Sequence, residues 1–253
     1  MGKIIAIANQ KGGVAKTTTA VNLSSWLSIM EQKVLLVDID PQGNATTGVG
    51  VAKDLVERCI YDVLIDHVPL ESIIIPCAVP GLDLAPATIE LAGAEIELVS
   101  VPERERTLKK SLSALQERYD FVFIDCPPSL GLLTLNALTA ADSLIIPIQC
   151  EFYALEGLSQ LLNTYNMVKE HMNSELEIEG VLLTMFDGRT NLAIQVVDEV
   201  KRHFKDKVYR AIIPRNIRLS EAPSHGKPVM VYDRRSKGAE VYRELALEVM
   251  GSE

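Results

Sequence analysis

Ile4-Ile5-Ala6-Ile7-Ala8 leads within two residues into Lys11-Gly12-Gly13-Val14-Ala15-Lys16-Thr17-Thr18, and this junction decides the fold. The apolar run reads as a buried strand, and the segment from Thr17 to Leu27 reads as a helix. A glycine-rich loop between such elements aims successive backbone N–H groups, and the positive end of the helix dipole, at a phosphate chain. Lys16 adds a point charge for the β- and γ-phosphates, and the Thr17 hydroxyl is a Mg2+ ligand. The junction implies binding of a nucleoside triphosphate.

The loop departs from the ordinary pattern. G-x-x-x-x-G-K-[ST] asks for glycine at the positions of Gln10 and Ala15; the chain fits K-G-G-x-x-K-[ST] instead, a deviant Walker A loop. One phosphate tail in one subunit has little need of two lysines five residues apart. Lys11 is therefore expected to reach a nucleotide held by a partner subunit.

The 253 residues can bury a substantial core, and 47% hydrophobic with 23% charged content is that of a globular protein. Apolar runs are strand-length, the N-terminus enters a strand without a signal peptide, and Cys59, Cys77, Cys126 and Cys150 lie far apart without a C-x-x-C pair. These features predict a cytoplasmic domain with reduced thiols. Charge is uneven. Positions 201–237 carry eleven Lys or Arg against three acids, a net of +8, which leaves −17 on the rest of a chain whose total is −9. That split suggests a surface for polyanions on an acidic body, with solvated helix faces as the plainer explanation.

Short apolar strands alternate with amphipathic helices throughout, predicting one α/β domain over residues 1–253. Strands are expected at 3–9, 33–38, 82–86, 120–125, 143–148, 179–186, 208–213 and 228–232. Helices are expected at 16–30, 88–100, 104–118, 131–141, 156–172, 192–204 and 237–250. Runs such as Val34-Leu35-Leu36-Val37 are apolar without alternation, as in strands covered on both faces, so the sheet is expected to be mostly parallel, twisted, and about 7–8 strands wide.

Asp38 and Asp40 close the second strand, and Asp125 closes Phe121-Val122-Phe123-Ile124 in the Walker B manner. Ligands of open α/β sheets sit at the strands' C-terminal ends, so these carboxylates are expected to face phosphates and Mg2+; capping or turn formation is the alternative for each. No Ser-His-Asp or Cys-His grouping is visible, which makes water the expected acceptor of a phosphoryl group.

Four motifs then carry a resemblance over the whole chain. They are Lys11-Gly12-Gly13-x-x-Lys16-Thr17, Asp38-Ile39-Asp40-Pro41-Gln42-Gly43-Asn44, Asp125-Cys126-Pro127-Pro128-Ser129, and Ile213-Pro214-Arg215-Asn216 with Leu219-Ser220-Glu221-Ala222-Pro223-Ser224-His225-Gly226. Together they resemble the ParA/Soj family of chromosome-partitioning ATPases, and most of all its bacterial chromosomal branch. The resemblance implies a P-loop ATPase using ATP and Mg2+, closing as an ATP-dependent sandwich homodimer that binds double-stranded DNA without sequence preference. It also implies a ParB/Spo0J-type activator and a nucleoid-associated place in the cytoplasm. By position it makes Lys11 the lysine crossing to the partner's ATP and Gly12 the point of close backbone approach. Lys16 and Thr17 would serve ATP and Mg2+ in cis, Asp40 would position the attacking water, and Asp125 would be the Walker B acid. Pro214 and Asn216 fall at the adenine pocket, and Arg189 and Arg218 at DNA contacts; solvated turn arginines are the alternative for that pair.

One departure stands out: many members have glycine where this chain has Ala15, and alanine resists a positive φ. No helix-turn-helix extension precedes the loop, so operator-specific repression is not expected. The nearest competing class is a MinD-like membrane-associated ATPase, which would need a basic amphipathic terminal helix. An iron–sulfur carrier of the same superfamily lacks cysteine ligands here, and a non-enzymatic DNA scaffold fits poorly with Asp40 and Asp125 beside the loop.

Overall fold

In the computed structural model, residues 2–115, 117–151 and 156–251 are described. The elements in chain order are β1 (Lys3–Ile7), α1 (Lys16–Ile29), β2 (Val34–Asp38), α2 (Asn44–Gly48), α3 (Ile60–Leu64), β3 (Ile75–Pro76), β4 (Leu82–Ala85), α4 (Leu91–Glu97) and α5 (Thr107–Ser113). After these come β5 (Phe121–Asp125), α6 (Leu132–Ala140), β6 (Ser143–Gln149), α7 (Glu156–His171), β7 (Glu177–Thr184), α8 (Asn191–Phe204), α9 (Ile217–Glu221), α10 (Val229–Tyr232) and α11 (Lys237–Val249). Seven strands form one sheet in the order β3-β4-β2-β5-β1-β6-β7, parallel except where β3 runs against β4.

Period-2 geometry explains the unbroken apolar strands. Ile5, Ile7, Leu36, Phe123 and Ile145 face a core shared with Trp26, Tyr242 and Leu245, while Ile4, Leu35, Val37, Val122 and Ile146 face the opposite core. Both sides of each strand are buried, which is the parallel α/β condition. Along α7 one stripe faces the core: Leu158, Leu161 and Tyr165 are buried and Leu162 packs beside them.

Two expected strands are not strands. Residues 208–213 form no ladder with β7: Val208 makes an isolated bridge to Val181, and the Tyr209 and Ile213 N–H groups donate to the Val181 and Leu183 carbonyls at 3.0 and 2.9 Å. Between them the Arg210 and Ala211 N–H groups donate to the Glu248 carboxylate at 2.8 and 2.7 Å, so a side chain of α11 takes the bonds a ladder needs. Residues 228–232 wind into the single turn of α10, because Pro228 opens a helical turn whose carbonyl receives the N–H groups of Val231 and Tyr232. A four-residue apolar run is ambiguous between the two periodicities. The expected helix at 88–100 is α4 followed by a 3-10 turn, Leu98–Ser100. That at 104–118 divides into a 3-10 turn, Arg104–Arg106, and α5; its residue 116 lies outside the described residues.

The topology places the site. β5 lies between β2 and β1, with Asp38 opposite Asp125 and Ile7 opposite Asp125 in register. Three chain segments that bear the chemistry thus leave the middle of the sheet side by side at the C-terminal ends of its strands.

Candidate functional site

The loop from β1 to α1 is held from below. Asn9 is buried; its Nδ2 donates to the Pro147 carbonyl at 2.7 Å while its Oδ1 accepts from the Lys11 N–H at 3.0 Å. Farther along, the Thr184 hydroxyl at the end of β7 donates to the Val14 carbonyl at 3.1 Å. The Lys16 ammonium folds back over the loop and donates to the Lys11 carbonyl at 3.2 Å. Burial lowers the Lys16 pKa from the ordinary lysine value, with Asp125, Cys126 and Asp40 opposing the shift. Helix α1 starts without an acidic residue or a capping side chain, so its first N–H groups point at whatever fills the loop.

Ala15 is the exception to easy geometry. Its φ of 70° and ψ of 30° are left-handed, so the substitution for glycine falls where a Cβ is strained. Gly13, at φ 74°, shares that conformation at no such cost. A Cβ on Gly12 would meet only Pro128 Cβ, at 4.0 Å. Among the described residues nothing therefore demands glycine at position 12.

The three aspartates meet, but differently from the expectation for Asp38. Its Oδ2 accepts from both the N–H and the hydroxyl of Thr46 at 2.8 Å, and its Oδ1 accepts from the Asp40 N–H at 3.1 Å. Asp38 is thus the anchor of the following loop and does not face outward. Burial raises its pKa to about 6 against the lowering effect of those bonds. Asp40 is buried too, and its Oδ1 accepts from the Gln42 N–H at 2.9 Å. Asp125 has the most telling surroundings. Both its oxygens are fully buried without a complete hydrogen bond, although the Thr17 hydroxyl faces it closely enough to oppose the upward pKa shift. Burial, and next the Asp38 carboxylate, drive that shift.

An orphaned buried carboxylate facing a threonine hydroxyl suits a divalent cation. Among the described residues no group of three His, Cys, Asp or Glu could hold a metal by protein ligands alone. That sparse set is the Mg2+ pattern, in which few side chains bind and phosphate oxygens and water complete the shell. Thr17, Asp40 and Asp125 fit it.

Beside the loop, a cavity of about 340 Å3 is lined by Ala15, Thr18, Pro214, Asn216 and Tyr242, among others. Pro214 and Asn216 thus lie against the phosphate loop although some 200 residues separate them in sequence. The Asn216 Oδ1 accepts from the Arg218 N–H at 2.9 Å and caps α9. Arg218 falls in the first turn of α9 and pairs with Glu221 at 2.8 Å and Asp233 at 3.2 Å. Arg189 lies in the turn between β7 and α8 and grips Asp187 at 2.8 and 2.7 Å. Neither arginine reaches the phosphate loop; Phe186 holds their two segments together by bonds to Ile213 and Arg215. Sequence reasoning missed Asn9 and Thr184, near strand ends, and Thr46 in α2, polar residues whose only signal is a side chain able to hydrogen-bond within the fold.

A parallel sheet whose first loop carries two lysines, with aspartates closing the adjacent strands, defines a P-loop nucleotide-binding domain of the deviant Walker A class. A family described as AAA domain matches residues 2–178. The chain is 65% identical to the sporulation initiation inhibitor protein Soj of Bacillus subtilis over 98% of both chains. It is 54% identical to the chromosome partitioning protein ParA of Myxococcus xanthus over 99% of this chain and 88% of that one. A Mycobacterium smegmatis crystal structure described as cobyrinic acid a,c-diamide synthase with bound ADP and magnesium superposes with a TM-score of 0.87 at 39% identity, covering 99% and 94% of the two chains. The chain belongs to the ParA/Soj family of chromosome-partitioning ATPases.

Proposed function

We propose that residues 1–253 act as one ATPase domain that moves or positions DNA by an ATP-dependent cycle of pairing and release. The observation that carries the reading is the convergence of Lys16, Thr17, Asp40 and the orphaned Asp125 at the mouth of a loop that also presents Lys11. ATP lies along the loop from Lys11 to Thr18, its phosphates on the N–H groups of Gly12, Gly13, Val14, Ala15, Lys16, Thr17 and Thr18. Its base enters the cavity beside Pro214 and Asn216. Thr17, Asp40 and Asp125 would hold Mg2+, which when bound would supply neutralisation of charge on the phosphate oxygens. Lys16 stabilises the same charge within the subunit.

Asp40 orients a water for in-line attack on the γ-phosphorus, and the bond to the β,γ-bridging oxygen breaks. Lys11 pairs with the partner's triphosphate, so two subunits close face to face only around ATP. Gly12 belongs to that closed face, which agrees with the open space around it within one subunit. Hydrolysis is slow alone and accelerated by a ParB/Spo0J-type protein. Arg189 and Arg218 contact DNA phosphates after exchanging their present carboxylate partners. The protein works in the cytoplasm on the nucleoid. Among the described residues no helix is long and apolar enough to cross a membrane. The apolar face of α11 is buried through Val241, Tyr242, Leu245 and Val249, which leaves a MinD-like membrane role without support.

The test is DNA retention with and without ATP across a salt series, with dimer state followed in parallel. If each subunit neutralises about three phosphates, the ATP-bound dimer has a log–log salt slope of about −5 and the monomer about −3. Equal pairing and equal DNA retention without nucleotide would overturn the reading.

A further inference from the structure

Helix α4 has an outer face that nothing among the described residues covers. Ile89, Ile96 and Val99 are 68%, 78% and 59% exposed, while Leu91, Ala94 and Leu98 are fully buried. Backbone bonds from Leu91, Ala92 and Gly93 to Thr88, Ile89 and Glu90 extend the helical winding back to Ile89. Ile89 and Ile96, two turns apart, therefore share one side, and exposed Val99 follows in the 3-10 turn Leu98–Ser100, giving anchors for an apposed helix. Glu90 is exposed beside Ile89, and Glu97, beside Ile96, is fixed by the Tyr61 hydroxyl at 3.0 Å from both carboxylate oxygens.

The inner side of the helix is tied to both loops that border the phosphates. Just before α4 the Ala87 N–H donates to Thr46 Oγ1 at 3.0 Å, and that hydroxyl donates to Asp38 at 2.8 Å. From the middle of α4, Glu95 accepts the N–H groups of Leu132 and Leu133 at 2.9 and 3.4 Å. Those groups open α6, directly after the loop that follows Asp125. A load on α4 thus bears on the anchor of Asp40 and on the segment behind the Walker B acid.

We propose that the outer face of α4 is the docking surface for a basic amphipathic segment of a partner protein, and that its occupation adjusts the Asp40 and Asp125 loops. Charge selects the occupant. An apolar stripe edged by Glu90 and Glu97, with Arg104 at its Val99 end bonded to the Val99 carbonyl and paired with Glu105, attracts Lys and Arg along its acidic edge and repels an anionic membrane there. A second copy meeting it across a two-fold axis would set these acids against their own duplicates. The proposal rests on the ATPase reading above and supplies the place where an activator acts.

The probe is the purified ParB/Spo0J-type protein, with Ile96→Glu and Glu90→Lys as variants at exposed positions outside the nucleotide site. Ile96→Glu is expected to lower partner affinity and half-saturated stimulation about tenfold, and Glu90→Lys about threefold, with unstimulated turnover and ATP-dependent pairing intact. Stimulation within twofold of the unsubstituted chain in both variants overturns the proposal. Loss of pairing in Ile96→Glu also overturns it, assigning the face to a second copy; so does binding of phosphatidylglycerol vesicles that Ile96→Glu abolishes. An unsubstituted chain without any ATP turnover takes down the ATPase reading and this proposal together.

Discussion

Replacing Ala15 by glycine should make the nucleotide-free protein more stable, contrary to the usual effect of introducing glycine. At φ 70° the Ala15 Cβ crowds its own backbone, at a cost of about 1–2 kcal/mol relative to glycine. Glycine also loosens the unfolded chain, returning about 0.4–1 kcal/mol. The difference favours Ala15→Gly by about 0.5–1 kcal/mol. With a urea m-value of about 3 kcal/mol/M, the unfolding midpoint rises by about 0.2–0.3 M at unchanged m. Ala15→Val, which adds a branched Cβ at the same φ, should move the midpoint the other way. Urea unfolding of the three proteins side by side is the assay. If Ala15→Gly lowers the midpoint, or Ala15→Val leaves it in place, the backbone at position 15 carries no such strain and the reasoning fails.

Lys16→Ala should abolish ATP binding measured by calorimetry, because the ammonium that folds over the loop is removed; affinity retained within a few-fold would contradict the assignment. Asp40→Ala should leave ATP bound and hold the paired form on DNA, so ordinary turnover in that variant would remove Asp40 from the chemistry. Thr46→Val takes two bonds from a buried network, the one it donates to Asp38 and the one it accepts from Ala87. It should cost about 2–3 kcal/mol in denaturant unfolding. Arg218→Glu should preserve ATP-driven pairing while DNA retention at moderate salt is lost, and unchanged retention would point away from the basic segment.

Much of the architecture is legible in the sequence because parallel strands buried on both faces announce themselves as unbroken apolar runs, and the six parallel strands were all expected within two residues. The failures share a cause. At 208–213 the two middle N–H groups, of Arg210 and Ala211, go to Glu248 on a helix some forty residues later, which no local pattern reports. At 228–232 four apolar residues are too few to separate a strand from one helical turn. Asp38 looked like Asp40 because both close the same strand, yet the hydroxyl of Thr46 turns one inward as an anchor. For Ala15, sequence could say only that a positive φ would be resisted; the backbone places it there. The loop's supports, Asn9 and Thr184, bond to main-chain atoms, and main-chain atoms leave no trace in side-chain identity.

The phosphate loop and the helix that follows it are braced by residues far along the sequence. Thr19 of α1 exchanges a hydrogen bond with Tyr242 of α11 at 3.1 Å, Asn22 accepts from the Val229 N–H at 2.7 Å, and Val14 accepts from Thr184. During synthesis the first forty residues emerge long before these partners exist, and contacts spanning 170 to 223 positions are slow to close. The first forty residues thus carry the nucleotide signature but lack the hydrogen bonds from Thr184, Val229 and Tyr242 that brace it.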